Sequence, residues 1–389
     1  MTASEHLQPV DKLVTSLGRG RESIPSRETM AAIGAQGSYI RRAVKAGSWY
    51  ESRKSLLDEQ LTSWLATAEA VSQPRVTKGI APRAIIAPHA GYSYSGPTAG
   101  YAYMYLREAL QGDMDKNKRK KYIKRIFILG PSHHARMNGC NVSGASVCAT
   151  PVGDLVVDAL TRDELLSTAM FGTLTPDVDE AEHSIEMHLP YIAKVIQQAT
   201  GRLKVPIVPI MVGQLSSQLQ VDYGAVLAPY LANPENFFVI SSDFCHWGRR
   251  FNYQPIPEHL ASYDSKRKKK LQYEDGSEKQ EIFEFISALD HEAMAIIERG
   301  TKLSGTRCAF EQYLTHTRNT ICGRMPIAVL LAAMEAMAGA ASISPSMSSQ
   351  PILDIKFVAY KQSSKATKMS DSSVSYASAV LTSSCDGSE

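Results

Sequence analysis

Residues 125–136 read RIFILGPSHHAR. The consecutive large apolar side chains of Ile126, Phe127, Ile128 and Leu129 leave no polar face, so the segment is expected to be a short strand buried on both sides of a sheet. Gly130-Pro131 stops it, and Ser132-His133-His134 follows. In an open α/β sheet the groups available for chemistry collect just past the carboxyl ends of the strands. A histidine at that place is a candidate ligand or proton carrier.

The same grammar recurs twice. Residues 84–88 (AIIAP) run into His89-Ala90-Gly91-Tyr92, and 237–241 (FFVIS) run into Ser242-Asp243-Phe244-Cys245-His246-Trp247. If these strands are parallel neighbours, their histidines converge on one rim. Around them the apolar spacing predicts helices over 55–70, 97–110, 182–198, 216–231, 282–299, 308–316 and 323–338, with a helical region reaching Phe171. Further strands are expected over 145–148, 205–212, 352–360 and 374–381. Strands alternating with helices imply an α/β chain whose sheet is covered on both faces.

A chain of 389 residues with 44% apolar content can bury a sizeable core, and its net charge of +3 gives no general reason to expect nucleic acid or an anionic membrane as partner. No apolar run is long enough to span a bilayer, and no secretory signal opens the chain, so a cytoplasmic protein is expected. The six cysteines lack regular spacing and read as free thiols of a reducing compartment. Residues 1–38 mix Ser, Gly, Arg and Glu without periodicity and read as a flexible extension to a single domain over 39–383, with 384–389 a tail. Basic inserts near 111–124 and 265–279, the second containing KRKKK at 266–270, read as solvated loops, with nuclear import the alternative.

Taken singly, His89 and His133 read as structural histidines. As a pair in matching contexts, beside glycines that let backbone approach a small bound object, they read as ligands or catalytic groups. Two histidines leave a metal short of a stable shell, and three places offer the next ligand: the Asp243 to His246 cluster, the helix carrying His183, Glu186 and His188, and the segment Asn319 to Arg324. On that helix His183 and Glu186 share a face, but His188 is five residues from His183 rather than four, so a core or supporting role fits better than metal binding. Cys322 precedes the clearest helix, whose dipole favours a thiolate, although a buried cysteine is commonly inert packing. Asp243 beside His246 has acid–base character, since a carboxylate can set the tautomer of an imidazole that titrates near neutrality.

The segments AIIAPHAGYSYSG, RIFILGPSHH, EHSIEMHLPY, VISSDFCHWG, NTICGR and DSSVSYAS, in this order, resemble the Memo family, mediators of receptor-driven cell motility. The resemblance runs from about Ile40 to Thr382. It implies a three-layer αβα sandwich around a central mixed sheet, similar to class III extradiol dioxygenases, with one mononuclear metal held by His89, His133 and Cys322. His246 would do acid–base work and Asp243 would orient it. Trp49, Tyr92 and His134 would line a substrate pocket, with His183, Glu186, His188 and Arg324 around it. Where those dioxygenases use two histidines and a carboxylate for iron, a thiolate softens the site and admits copper or zinc beside iron. The implied functions are redox or signalling control of cell motility, cytoskeleton or invasive growth. A phosphotyrosine-peptide adaptor without catalysis and a non-haem iron oxidoreductase using O₂ are the alternatives.

Overall fold

The computed structural model describes residues 39–71, 80–114, 120–201, 205–256, 281–300, 305–343 and 352–384. These belong to the unit Tyr39–Glu389. The expectations for residues 1–38, for 115–119 and 265–279 of the basic inserts, and for 385–389 lie outside the described residues.

In chain order, β1 (Tyr39–Arg41) and helix α1 (Lys54–Val71) lead into β2 (Ile80–Ala87), α2 (Tyr92–Gln111) and β3 (Arg125–Pro131). Four short strands follow, β4 (Cys140–Val142), β5 (Ala145–Cys148), β6 (Leu155–Val156) and, after α3 (Ala159–Ser167), β7 (Phe171–Thr173). Then come α4 (Pro176–Ala181), α5 (His183–Glu186), α6 (Leu189–Thr200), β8 (Ile207–Val212), α7 (Ser217–Ala232), β9 (Asn236–Ser241) and β10 (His246–Trp247). Helices α8 (Ile282–Ile297), α9 (Thr306–Thr317) and α10 (Arg324–Ile343) precede the closing strands β11 (Ile352–Gln362) and β12 (Ser373–Ser384).

The main sheet runs β10-β12-β2-β9-β3-β8-β4-β7, with β11 paired to β12. At its centre β2, β9, β3 and β8 are parallel neighbours, with Ser241 opposite Ala87 and Ile240 opposite Leu129. The flanks are antiparallel, β12 on β2 and β4 on β8, so the sheet is mixed. Alternate residues of the central strands feed two cores. Ile86, Leu129, Ile210 and Ile240 pack with apolar residues of α7, α8, α9 and α10, whereas Ile85, Ile128, Met211 and Val239 pack with those of α1, α2 and α6. The layering is αβα, as expected of strands that are apolar on both faces.

Several boundaries differ from the sequence reading, each for a physical reason. The helix expected over 182–198 is two, α5 and α6, because Pro190 has no N–H to offer the Glu186 carbonyl, and the chain steps at Met187-His188. Helix α2 begins at Tyr92 rather than at 97, since Tyr94 and Ser95 already donate to the Gly91 carbonyl and close a turn ahead of Pro97. Phe171 does not end a helix; it opens β7, a short edge strand on β4 too brief for a two-residue period to register.

Candidate metal centre

The strand order brings three loop segments to one rim. His89 lies two residues past β2, His133 two past β3 and Asp243 two past β9, and these strands are adjacent. Cys322 arrives from the other direction, just ahead of α10. Gly323 allows that approach: a Cβ there would lie 2.2 Å from the Ser241 carbonyl oxygen and 2.3 Å from Ser242 Cβ. Gly130 does the same for α5, since a Cβ would meet Ser184 Oγ at 2.6 Å and Ile185 Cγ1 at 2.7 Å. Larger residues at either place would push a whole element away from the rim.

One ligand atom each from His89, His133 and Cys322 lie within 4.8 Å of one another, and Cys322 Sγ is 3.3 Å from His89 Nε2. The hydrogen bonds determine which nitrogen each imidazole presents. Ser241 Oγ donates to the Ser184 carbonyl, so at 2.6 Å it accepts from His89 Nδ1–H. Glu182 Oε1 accepts from His133 Nδ1–H at 2.8 Å. Both rings therefore keep a proton on Nδ1, which leaves Nε2 as the nitrogen each has free for a cation, and His89 Nε2 is the one seen against the sulfur. This is how metal-binding histidines are oriented by the groups behind them. His246 follows the same logic, its Nδ1–H facing the carbonyls of Phe244 (2.9 Å) and Thr320 (3.1 Å). Asp243, His246 and Cys322 form a second overlapping group of ligand atoms within 4.8 Å.

The donor set is electrically suited to a cation. Burial, and then the neighbouring imidazoles of His133, His183, His188 and His246, hold His89 well below the usual histidine range, so it is neutral. Burial alone would raise the Glu182 carboxyl, but the hydrogen bonds and charge of His133 outweigh it and hold Glu182 well below the usual carboxylate range. Burial raises Asp243 despite nearby His246 and the His89 and Ala90 N–H groups that its Oδ1 accepts. Cys322 departs from the sequence reading: burial, then the Asp243 carboxylate, push its thiol well up, against the weaker pull of the Asp243 and Gly323 N–H groups. Without a cation it is a thiol, and a bound metal must displace that proton.

Of the surrounding residues proposed from the sequence, Trp49 is 37% exposed and its ring lies 4.5 Å from that of His183. His183 in turn stacks at 4.5 Å on His133, and exposed His134 meets it from outside. Arg324 is half-buried beside Cys322. Three others are not at the opening. Tyr92 is buried among Tyr50, Trp64 and Tyr191, with its hydroxyl on the Met187 carbonyl. Glu186 is fully buried, taking Arg41 at 2.8 Å, the Lys45 N–H at 2.7 Å and the Tyr50 hydroxyl at 3.0 Å. His188 stands behind His89, ring centres 6.5 Å apart, bound through Nδ1 to the Tyr103 hydroxyl. The spacing gives Glu186 and His188 a core or supporting role; Tyr92 and Glu186 spend their hydrogen-bonding groups on the core, whereas the buried His188 Nε2 has no partner among the described residues.

Reasoning from the sequence missed the supports. Glu182 caps α5 through the His183 and Ser184 N–H groups while its other oxygen takes the His133 N–H at 2.6 Å. Arg41 fastens that cap, donating to the Glu182 carbonyl at 2.8 Å and pairing with Asp179 and Glu186. Asp290 joins the two loops of the rim, accepting from the Cys245 N–H at 3.2 Å and the Asn319 amide at 3.0 Å. An acid immediately before a histidine at a helix start was the available clue to Glu182. Arg41 and Asp290 act across long sequence separations and leave no local trace.

Residues 41–380 match the family model described as Memo-like protein. The chain belongs to the Memo-like family. Memo-like relatives include the protein memo-1 homolog of Caenorhabditis elegans, 40% identical over 358 residues that cover 92% of this chain and 87% of that protein. Protein MEMO1 of Danio rerio is 40% identical and that of Homo sapiens 39% identical, each covering 88% of this chain and 97% of its own. Among solved structures, an uncharacterized protein (JW3007) from Escherichia coli K12 aligns with a TM-score of 0.38 and 11% identity, covering 76% of this chain and 99% of its own. No helix among the described residues of this Memo-like chain is long and apolar enough to cross a membrane.

Proposed function

We propose that this Memo-like protein binds one transition-metal ion through His89 Nε2, His133 Nε2 and Cys322 Sγ, and acts in redox or signalling control of cell motility, cytoskeleton or invasive growth in the cytoplasm. The observation that carries the reading is the pair of fixed tautomers: Ser241 and Glu182 each hold an Nδ1–H, so Nε2 is the nitrogen each imidazole has free, in a cluster where His89 Nε2 lies 3.3 Å from Cys322 Sγ. Two imidazoles and a thiolate suit iron or copper, with zinc a third candidate. Bound iron or copper would supply one-electron chemistry with O₂ or a reduced oxygen species.

The chain's own residues divide the remaining work. Because its Nδ1–H is committed to backbone carbonyls, His246 offers Nε2 as a proton acceptor beside Cys322. Asp243 accepts the His89 and Ala90 N–H groups and so ties the first ligand loop to the β9 loop. His133, with 28% of its side chain exposed, leaves one side of the centre open to a small molecule. Metal content measured on anaerobically purified protein tests the reading: about one equivalent is expected in the parent and a small fraction of that in folded Cys322→Ala, whereas equal content in both rejects the ligand set.

A second reading, a phosphotyrosine-peptide adaptor, draws support from Trp49 beside the histidines and from exposed Arg249 next to His246 and Trp247. Titration with a phosphotyrosine peptide, in which binding weakens in His246→Ala, is the result it requires. An iron oxidoreductase of the ring-cleaving kind is a third, and O₂ uptake with catechols is its test.

A further inference from the structure

Outside the three ligands, a second pair of imidazole nitrogens faces each other. His183 Nδ1 and His134 Nε2 are 3.4 Å apart. That is longer than the roughly 2.7–3.2 Å at which an N–H ordinarily holds an oxygen acceptor. It is, however, the distance across a tetrahedral edge: metal–nitrogen bonds of about 2.0–2.1 Å spanning it enclose an angle of about 110°. We infer that His134 and His183 form an outer, thiol-free site for a borderline divalent cation such as Zn²⁺, Co²⁺ or Cu²⁺, with water completing the shell.

The surroundings favour a cation there. Glu182 Oε1 lies 3.4 Å from His183 Nδ1, a carboxylate within reach of the pair. His134 is exposed, so the shell has access to water. His183 is held in place between Trp49 and His133, both at ring separations of 4.5 Å, so one arm of the site is preorganised and only the outer imidazole has to adjust. The pair also lies on the solvent side of His133. An ion held by it is one stacked ring away from the inner ligands, which makes the outer site a station on the approach to the inner one; that role rests on the inner site proposed above.

Titration of the metal-free full chain with Co²⁺ separates the two sites. A thiolate ligand gives an intense near-ultraviolet sulfur-to-cobalt band, whereas a site of imidazole and water gives only weak visible bands. Two equivalents are expected, one with the charge-transfer band and a weaker one without it, the second also quenching Trp49 fluorescence. His134→Ala should weaken the second equivalent at least tenfold, and His183→Ala should do the same. A single equivalent bearing the charge-transfer band, or a second equivalent that survives His134→Ala, overturns the outer site. Binding without any charge-transfer band that His134→Ala abolishes supports the outer site and rejects Cys322 as an inner ligand. Because His134 is exposed, its substitution tests the proposal even if His183→Ala fails to fold.

Discussion

Glu182 does three things with one carboxylate: it fixes the tautomer of His133, anchors the His133 backbone and caps α5. Glu182→Gln keeps the shape but removes the charge, and its amide cannot accept all of those donors. Metal affinity is expected to fall about 10- to 100-fold, as for other groups behind a ligand, with a measurable loss of melting temperature. Titration with a chelator-buffered metal, followed by scanning calorimetry of the apo forms, checks both. His188 makes a separate prediction in acid. Burial pushes it down to about 3 from the ordinary histidine value of 6.5. Between those values the unfolded chain binds a proton that the folded one refuses, so the stability is full above pH 6.5 and is lost as pH falls toward 3. The slope is roughly 1.4 kcal/mol per pH unit. Denaturant midpoints from pH 7 to 4 should show it, and a folded His188→Phe variant should flatten it.

At the scale of elements, what was legible followed from local pattern. The three buried strands with polar groups at their ends, the α10 stripe of Ile327, Leu330, Leu331 and Met334, and the alternation of strand and helix could all be read from side-chain period alone. Parallel adjacency of β2, β9 and β3 could only be supposed, since pairing is a long-range fact, and β1, β4 and β7 have three residues each and too few positions to show a period. The candidate ligands were singled out through motif likeness, whereas Ser241, Arg41 and Asp290 were not, because what makes them supports is their position opposite partners far along the chain. Close approach makes the sharpest element-scale prediction. A Cβ on Gly323 would sit 2.2 Å from backbone of β9, so Gly323→Ala should displace Cys322 together with the start of α10. The expected result is loss of metal binding along with about 1–3 kcal/mol of stability. In contrast, Gly224→Ala in α7, which crowds Ala332 of α10 at 2.4 Å, should cost similar stability and leave metal stoichiometry near that of the parent.

For the whole molecule, the two cores on either side of the sheet supply the stability, and the rim draws on it. Phe127 and Phe238 stack at 4.6 Å on neighbouring strands in one of those cores. Phe238→Ala is expected to cost about 3–5 kcal/mol and to weaken metal binding only in proportion to the unfolded fraction. Binding energy should also return to the fold. At a free metal concentration a hundred times the dissociation constant of the inner site, the native state gains about 2.7 kcal/mol, so the melting temperature should rise in the parent and rise much less in Cys322→Ala.

His89 and Cys322 are separated by 233 positions, and the loop between β9 and β10 is pinned by Phe244 donating to the Ser375 carbonyl of β12. During synthesis the imidazoles therefore emerge long before the sulfur, and the strand that clamps the β9–β10 loop emerges later still. A ribosome-bound intermediate lacks the thiol that the proposed inner site requires. With the ligand set proposed above, thiolate-bound metal loading is therefore expected only after translation has delivered the segment that carries Cys322.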